Sequence, residues 1–491
     1  MICYVVYATM GFMQYRGEGY RIMMDFNIDA LPRRKGVYIV GGSLRDRLLG
    51  RIPTDVDIAV HGDPELFAHE LAMKLNSRVI AMGRQTHPMF RVVTQNRIFD
   101  ISPLQGTTIE EDLKHRDFTV NALAYETWSA KVIDVAHGLQ DIQDRQIRQV
   151  SKTSFQADPL RLLRAFRIAA QLDFQIDKHT LKTIRSNAHL ISATAAERIR
   201  SELLGIFKAP GTHEWLRKMA DTGILFNVLP EIAAMKGCLQ NRHHAFDVFE
   251  HTIRTVYHME VLTTQDQSRD PGHRPLMEPM DVHRQTRLKL AALLHDMGKP
   301  LSMHRAIDGH VKFIGHASTG ARMVANLGDR LRFSRNEIEH ATKMVRYHPR
   351  PLFLFNARQK KTLTQRGITR FFLKTHGVTT DILLLSLADM RAKQVSAHTT
   401  GPEFELFVKE LAHRYDVDFR PSLEIPPLIS GHDLIHHLHL TPSPLFKQIL
   451  ARTREHQLAG HITTRKEALK FTADAIASYT PLKLDIGKRF L

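Results

Sequence analysis

The chain holds few of the residues that mark several large classes of protein. Only two cysteines, Cys3 and Cys238, occur among 491 residues, which excludes a disulfide framework and a Cys-x-x-Cys metal or redox motif. Hydrophobic residues make up 43% and charged residues 24%, ordinary globular values that exclude wholesale disorder and a bundle of membrane helices. The uncharged start, residues 1–15, is shorter than the roughly 20 residues of a membrane span and lacks the positive charge that opens a secretory signal. We therefore expect a cytoplasmic protein without a membrane partner.

Acidic residues are outnumbered by basic ones. Lys and Arg total 68 and Asp and Glu total 51, which gives a net charge of +17. A surplus of this size favours a polyanionic partner, most often nucleic acid. A soluble protein that is merely basic stays open as the alternative.

The pattern of apolar residues changes near residue 151. Before it, short apolar runs alternate with amphipathic stretches, which predicts an α+β half. Its expected strands cover residues 37–40, 56–60, 78–82, 89–94, 97–101 and 131–135, and its expected helices residues 43–49 and 64–75. Later apolar residues recur at helical spacing, so the remaining two thirds should be mainly helical, with a polar loop at 263–286. Residues 1–22 precede Met23 and Met24, and we expect an unstructured or untranslated extension there.

A double-glycine turn joins the first expected strand to the first helix. Gly41 and Gly42 let the backbone come close to a ligand, and the free N–H groups of a helix start attract phosphate oxygens. Arg45 adds positive charge there. Most glycine turns bind no ligand, so a second feature of the sequence is needed before this turn indicates a binding site.

Paired carboxylates on the next strand supply that second signal. Asp55 and Asp57 are two apart, so both project to one face of the strand. Two close anions are costly unless a cation lies between them, and oxygen ligands suit Mg²⁺. Two such ions about 3.5–4 Å apart clamp the attacking and leaving oxygens of a phosphoryl transfer. Asp100, in the middle of another strand, would complete the site, or would pair with a buried arginine instead.

A second group of polar residues lies in the helical part. His295 and Asp296 end an apolar helical run, a pair that is more often a buried hydrogen bond than a metal site. Candidate partners are His251 on an earlier helix and Asp389 deep in a later apolar run, where an acid needs a cation or a donor.

Four motifs in order resemble those of the bacterial (class II) tRNA nucleotidyltransferases. This group comprises the CCA-adding enzymes and poly(A) polymerases of the DNA polymerase β-like superfamily. The motifs are Gly41-Gly42-x-x-Arg45-Asp46, Asp55-x-Asp57, Glu111 through Arg116-Asp117 to Asn121, and Asp158-Pro-Leu-Arg161-x-x-Arg164-x-x-Arg167. The resemblance covers about residues 37–208.

The resemblance implies a role for each motif residue. Asp55 and Asp57 would hold the catalytic Mg²⁺ ions, with Asp100 as the third acid. Residues that contact the nucleotide would be Gly41, Gly42, Arg45, Arg116, Asp117, Asn121, Asp158, Arg161, Arg164 and Arg167. Among them, Asp158 and Arg161 would read the base. Two departures, Ala157 in place of Glu and His115 in place of Arg, concern base selection more than transfer chemistry.

The arginines of the last motif support a nucleotide site on physical grounds as well. Arg161, Arg164 and Arg167 recur at i, i+3 and i+6, which places them on one side of a helix. Three cations repel one another unless an anion lies between them, and a triphosphate is such an anion. A solvated basic face is the alternative.

The ordered set His251, His295, Asp296 and Asp389 resembles the HD superfamily of metal-dependent phosphohydrolases. His316 and His348 fall where two-metal members of that family place further ligands. The resemblance implies a divalent metal (Ni²⁺, Mn²⁺ or Fe²⁺) and phosphatase or cyclic phosphodiesterase activity.

Together these observations predict an α+β protein. An N-terminal DNA polymerase β-like nucleotidyltransferase head with a mixed β-sheet should precede a mainly helical body that includes an all-α HD domain. The expected boundaries are an extension at 1–35, the head at 36–150, a helical nucleotide-selecting and RNA-binding neck at 151–235, the HD domain at 236–400 and a helical tail at 401–491.

The predicted function is addition of C and A residues to the 3′ end of tRNA from CTP and ATP. The alternatives within this class are a poly(A) polymerase and an enzyme that adds only CC or only A. A nucleotidyltransferase–HD signalling regulator is the alternative from another class. A non-catalytic RNA-binding protein is a further one, which the intact Asp55 and Asp57 disfavour.

Overall fold

The protein is described here from a computed structural model. It covers residues 31–84, 87–240, 246–264, 280–305, 307, 310–393 and 400–486, together with the short strands Met13–Tyr15 and Tyr20–Ile22. The chain forms two compact units, Met1–Pro230 and Glu231–Leu491. Within the described residues, no helix is long and apolar enough to cross a membrane.

A seven-stranded mixed sheet forms the centre of the first unit, as predicted. Its strand order is β5-β6-β7-β4-β3-β8-β9; β4 and β7 run parallel and the other neighbours antiparallel. The strands of this unit are β1 Met13–Tyr15, β2 Tyr20–Ile22, β3 Val37–Val40, β4 Asp55–Val60, β5 Val79–Arg84, β6 His87–Val93, β7 Ile98–Pro103, β8 Leu123–Glu126, β9 Val132–Asp134, β10 Gln146–Ile147 and β11 Gln175–Ile176.

Strand β4 shows how the sheet positions the acidic pair. The strand is polar where it begins and buried from Ile58 to Val60, so its last residues anchor it in the core. Its neighbours β3 and β7 contribute the fully buried Ile39 and Ile101. The acidic beginning of β4 therefore lies on a rigid element at the edge of the core.

Helices form most of the remaining described part of the first unit, and from residue 154 onward they follow one another with few strand residues between them. They are α1 Gly41–Leu48, α2 Pro64–Lys74, α3 Ile109–Lys114, α4 Gly138–Gln143, α5 Ser154–Ala157, α6 Arg161–Leu172, α7 Lys178–Asn187, α8 Ala196–Lys208, α9 Thr212–Asp221 and α10 Ile224–Val228. Short 3₁₀ turns cover Thr119–Asn121, Ala188–Ala193, Pro230–Met235 and, in the second unit, Pro300–Ser302.

Part of the N-terminal extension is paired. Strands β1 and β2 form an antiparallel hairpin with Met13 opposite Ile22. The prediction of an unstructured extension is therefore wrong for these strands, whose backbones satisfy each other's hydrogen bonds. The remaining residues up to 30 lie outside the described part of the chain.

The described residues of the second unit form helices and one hairpin. Its helices are α11 Val248–Thr264, α12 Val282–Leu294, α13 His316–Arg330, α14 Arg335–Tyr347, α15 Arg350–Gln359, α16 Gln365–Thr375, α17 Thr379–Ala392, α18 Thr400–Arg414, α19 Arg420–Glu424, α20 Gly431–His436, α21 Leu445–Leu458 and α22 Arg465–Ile486. A single π-helical turn, Tyr415–Phe419, follows α18. The hairpin pairs β12 Met303–Arg305 with β13 Val311–Phe313.

The expected loop at 263–286 is too long. Helix α12 begins at Val282, where the Asp281 side chain accepts hydrogen bonds from the backbone N–H groups of His283 and Arg284. Because of this N-cap, the helix begins several residues before the apolar run in its sequence. Residues 265–279 lie outside the described part of the chain.

Candidate functional site

One cavity in the first unit gathers almost all of the predicted transferase residues. Its volume is about 1140 Å³. Among the residues that line it are Gly41, Gly42, Arg45, Asp55, Asp57, Asp100, Arg116, Asp117, Asn121, Arg161, Arg164 and Arg167. Asp158 is the predicted residue that does not line it.

The acidic pair, Asp55 and Asp57, lines this cavity. Asp57 is half-buried, Asp55 is exposed, and Asp57 stands opposite Asp100 in the parallel register of β4 and β7. Burial raises the pKa of Asp57, and the charges of Asp100 and Asp55 add to this rise although Arg116 opposes it. A bound divalent cation would relieve this cost, and carboxylate oxygens are the ligands that Mg²⁺ prefers. The residues therefore fit a magnesium site.

Asp100 also has a protein partner. Arg91 on β6 donates from Nε to Oδ1 at 2.7 Å and from Nη2 to Oδ2 at 2.8 Å. This is the arginine pairing that the sequence left open as the alternative. It uses both oxygens of Asp100, although the carboxylate stays close enough to affect the pKa of Asp57.

The glycine turn leaves no room for a side chain. Gly41 has a φ of +73°, and a Cβ atom there would lie 3.2 Å from Nη1 of Arg116 and 3.3 Å from Oδ2 of Asp57. The left-handed φ and the close approach both favour glycine. Beside it, Ser43 accepts a hydrogen bond at 3.3 Å from the backbone N–H of Asp57, which ties α1 to β4.

Two arginines that line the cavity, Arg45 and Arg116, are held by an amide and a carboxylate group. Arg45 donates from Nη1 to Oδ1 of Asn121 at 2.6 Å. Arg116 donates from Nε and Nη2 to Oδ2 of the buried Asp112 at 2.9 and 2.8 Å. Asp112 was not predicted as a site residue, although its i, i+4 spacing from Arg116 could have revealed it.

The arginine stripe on α6 has an internal anion. Glu202 on α8, which is 6% exposed, lies between the two later arginines and accepts a bond at 3.1 Å from Nε of Arg164 and another from Arg167. Arg164 also approaches Asp117 at 3.5 Å. Sequence reasoning missed Glu202 and assigned the compensating charge to a ligand alone. The protein itself supplies part of the negative charge that compensates these arginines.

The predicted base-reading residues both contact other protein groups, Asp158 outside the cavity lining and Arg161 within it. Asp158 pairs with Arg198 of α8, whose Nη2 lies 2.9 Å from Oδ2. Arg161 donates from Nη2 to the carbonyl oxygen of His115 at 2.8 Å and from Nη1 to Oγ of Ser154 at 2.9 Å. The other predicted nucleotide-binding residues line the cavity.

A buried cluster in the second unit brings together the other predicted ligands. Nε2 of His251 lies 2.9 Å from Oδ1 of Asp389, and Nε2 of His295 lies 3.1 Å from Oδ2 of Asp296. On the other side of Asp296, His316 and His348 each place Nε2 3.6 Å from Oδ1. Two sets of ligand atoms therefore share Asp296: His251 with His295, and His316 with His348.

Backbone hydrogen bonds fix the ring nitrogen that each histidine presents. Nδ1 of His295, His316 and His348 lies 2.8 Å from the carbonyl oxygen three residues earlier. A carbonyl only accepts, so Nδ1 carries the proton and Nε2 of a neutral ring is an acceptor aimed at Asp296. Burial lowers the pKa of His348 to about 4, which keeps that ring neutral at neutral pH.

This cluster fits a cation. Nε2 of His295 and Oδ1 of Asp296 are buried and make no hydrogen bond within the described residues. Lys299 Nζ, 2.6 Å from Oδ2 of Asp296, supplies part of the needed positive charge and was not predicted. Burial lowers the pKa of His295, but the charge of Asp296 outweighs it and raises the pKa overall. Facing acceptors of this kind need a metal ion or an extra proton between them.

Family models match three parts of the chain. Residues 37–148 match the poly A polymerase head domain, residues 173–236 the probable RNA and SrmB-binding site of polymerase A, and residues 248–389 the HD domain. The fold and the cavity thus define a nucleotidyltransferase of the polymerase-head class, followed by an HD domain.

Curated relatives match nearly the whole chain. A CC-adding tRNA nucleotidyltransferase of Thermus thermophilus is 32% identical over 91% of this chain and 96% of its own length. An A-adding tRNA nucleotidyltransferase of Deinococcus radiodurans is 30% identical over 90% of this chain and 95% of its own. The chain belongs to the tRNA nucleotidyltransferase family, and it is an enzyme of that kind.

Solved structures share the fold. The Thermotoga maritima CCA-adding enzyme complexed with tRNA superposes with a TM-score of 0.57 at 20% identity and covers 90% of this chain and 91% of that one. A CCA-adding enzyme in complex with ATP gives a TM-score of 0.60 at 20% identity, with 90% of each chain covered. At this identity the similarity concerns the fold.

Proposed function

We propose that this enzyme adds C and A residues to the 3′ end of tRNA, without a nucleic-acid template, from CTP and ATP. The observation that carries the proposal is the single cavity that joins Asp55 and Asp57 to a surface rich in arginine. The net charge of +17 suits a tRNA partner. Among relatives that match most of the chain, one is named CC-adding and another A-adding, so addition of only part of the sequence is the alternative.

The chain's own residues would bind and orient the reactants. The tRNA 3′-hydroxyl attacks the α-phosphorus, the bond to the β-phosphate oxygen breaks, and pyrophosphate leaves. Positioning and charge stabilisation dominate such a transfer. Gly41, Gly42 and Arg45 would contact the triphosphate, with Arg164 and Arg167 holding its phosphates. Arg116 would bind the nucleotide, with Asp117 and Asn121 shaping the sugar region, and Asp158 with Arg161 would read the base.

Asp55 and Asp57 would hold Mg²⁺, with Asp100 beside them. When bound, the two ions would stabilise the charge that develops on the attacking and leaving oxygens. Asp57 is the better-buried ligand; burial raises its pKa, and the charges of Asp100 and Asp55, which would also favour the cation, add to the rise.

Extension of tRNA by each triphosphate tests this proposal. Purified protein is incubated with tRNA that lacks its 3′ end, with CTP, ATP or both. Growth by two residues with CTP, and by one more once ATP is added, is expected. Unlimited growth with ATP alone would instead identify a poly(A) polymerase, and no extension of any RNA would refute the proposal.

We also propose a metal-dependent phosphohydrolase activity for the HD domain. The buried acceptors of His295 and Asp296 favour this second function. His251, His295, Asp296 and Asp389 would hold a divalent transition metal such as Ni²⁺, Mn²⁺ or Fe²⁺, which would supply an activated water for attack on a phosphate ester. Metal content by mass spectrometry tests it. His295→Ala and Asp296→Ala should lose the metal, and unchanged metal in both variants would refute the site.

The proposed domains follow the boundaries expected from the sequence. The head covers residues 36–150, the neck 151–235, the HD domain 236–400 and the tail 401–491. We place the enzyme in the cytoplasm.

A further inference from the structure

Two residues outside the lining of the nucleotide cavity contact the side chains that would read the base. We propose that Ser154 and Arg198 are positioning residues that set base choice, Ser154 by orienting Arg161 and Arg198 by orienting Asp158. The inference rests on the proposed function and deepens it. Neither Ser154 nor Arg198 is among the residues that line the cavity.

Ser154 fixes the direction of the Arg161 guanidinium. Its hydroxyl is buried, with the residue 2% exposed, and accepts a bond at 2.9 Å from Nη1 of Arg161. The same hydroxyl donates to the carbonyl oxygen of Asp117 at 3.5 Å. Because the hydroxyl hydrogen points to that oxygen, the lone pairs of Oγ face the arginine. The His115 carbonyl oxygen at 2.8 Å is the other short acceptor, and the carbonyl oxygens of Arg116 and Ser154 accept longer bonds from Nη1 at 3.4 and 3.5 Å.

The short bonds to Ser154 and His115 are the strongest contacts of the half-buried Arg161. Its Nε is buried and makes no hydrogen bond within the described residues. Residue 157 is alanine, so the position just before Asp158 offers no carboxylate. Removing the Ser154 hydroxyl would therefore leave the charged group with one strong contact and a wider range of orientations.

Arg198 fixes the carboxylate of Asp158. Nη2 of Arg198 lies 2.9 Å from Oδ2, and the backbone N–H of Leu160 donates to Oδ1 at 3.2 Å. Each oxygen is thus held once and keeps a lone pair for the amino group of a base. Burial alone would raise the pKa of Asp158, but the hydrogen bond and charge of Arg198 outweigh it and hold the pKa below its ordinary value.

Base choice depends on the relative placement of these two groups. An Asp–Arg pair presents an acceptor and a donor, and the match to a base edge is lost when either group turns. Loss of the Ser154 or Arg198 contact would therefore let the enzyme accept bases whose edges carry a different pattern of hydrogen-bond donors and acceptors. A general folding defect would slow all four nucleotides alike, whereas mispositioning changes their ratio.

The test is the nucleotide selectivity of tRNA extension by Ser154→Ala and Arg198→Ala. We measure kcat/KM for CTP, ATP, UTP and GTP on tRNA that lacks its 3′ end. The ratios of CTP to UTP and of ATP to GTP should fall by about tenfold, the size of one lost base-reading contact. Ser154→Thr, which keeps the hydroxyl, should restore the ratios.

Matched controls separate the outcomes. Ser186→Ala and Lys208→Ala remove a hydroxyl and a charge from exposed helical positions and should leave the ratios unchanged. Equal losses for all four nucleotides, or unchanged ratios in the two test variants, would overturn the positioning roles alone. Failure of the unsubstituted enzyme to extend any tRNA would overturn the proposed function itself.

Discussion

Replacing Gly41 with alanine should abolish most of the transfer activity while the protein stays folded. The left-handed φ of +73° imposes on alanine a strain of about 1–2 kcal/mol. The new Cβ would lie 3.2 Å from Nη1 of Arg116 and 3.3 Å from Oδ2 of Asp57, closer than the roughly 3.5–4 Å of an ordinary contact. One of these two groups must move. The required shift is a few tenths of an ångström, and since a displacement of about 1 Å costs roughly a hundredfold in rate, we expect a loss of about tenfold.

Gly223→Ala is the matched control for this prediction. Gly223 has a φ of +78°, but a Cβ there would meet no atom within 4 Å. Both variants should therefore lose similar stability in denaturant unfolding, whereas only Gly41→Ala should slow single-turnover extension of tRNA. Equal rates for the two variants would show that the close approach of Gly41 to the carboxylate is irrelevant to catalysis.

Three further substitutions test other contacts. Arg91→Leu frees Asp100 beside the acidic pair and should lower the Mg²⁺ concentration needed for extension by at least roughly threefold; an unchanged requirement removes Asp100 from the metal site. Glu202→Gln should lower the free energy of unfolding by about 2 kcal/mol while nucleotide binding stays equal or tightens, so weaker binding contradicts the internal-anion role. Asp381→Asn should cost about 3 kcal/mol at pH 7, because this buried carboxylate pairs with Arg284 at 2.6 Å.

The cost of Asp381→Asn should depend on pH. Burial alone would raise the pKa of Asp381, but His340 and Arg284 outweigh it and lower the pKa. A depressed pKa gives stability that is fully present above the ordinary value of about 4 and is lost as the pH falls below it. Urea unfolding at pH 7 and pH 3 measures this, and an undiminished difference at pH 3 would contradict the ion pair.

Local patterns made the sheet and its acidic site predictable. The expected strands at 37–40 and 56–60 correspond to β3 and β4 within one residue, because alternating β-branched residues flanked by polar turns mark them. Strand β8 was missed, since Leu123 and Ala124 favour helix and only burial between two strands makes them extended. The hairpin at 303–313 was missed because its strands are three residues long and mostly exposed.

Contacts between distant segments could not be read from the sequence. Glu202 meets Arg164 and Arg198 meets Asp158 across separations of 38 and 40 residues, so no local spacing reveals them. Asp112 and Arg116 are different, because they lie only four residues apart, across the C-terminal end of α3, and this spacing brings their side chains within reach. The sequence therefore predicted which residues line the cavity better than it predicted what holds them.

Anomalous scattering from crystals grown with Mn²⁺ and CTP tests the central claim most directly. The account predicts a manganese peak about 2.0–2.2 Å from carboxylate oxygens of both Asp55 and Asp57, with the triphosphate beside Gly41. The peak should vanish in Asp57→Asn. Manganese bound only elsewhere, or a triphosphate that avoids this cavity, would contradict the account.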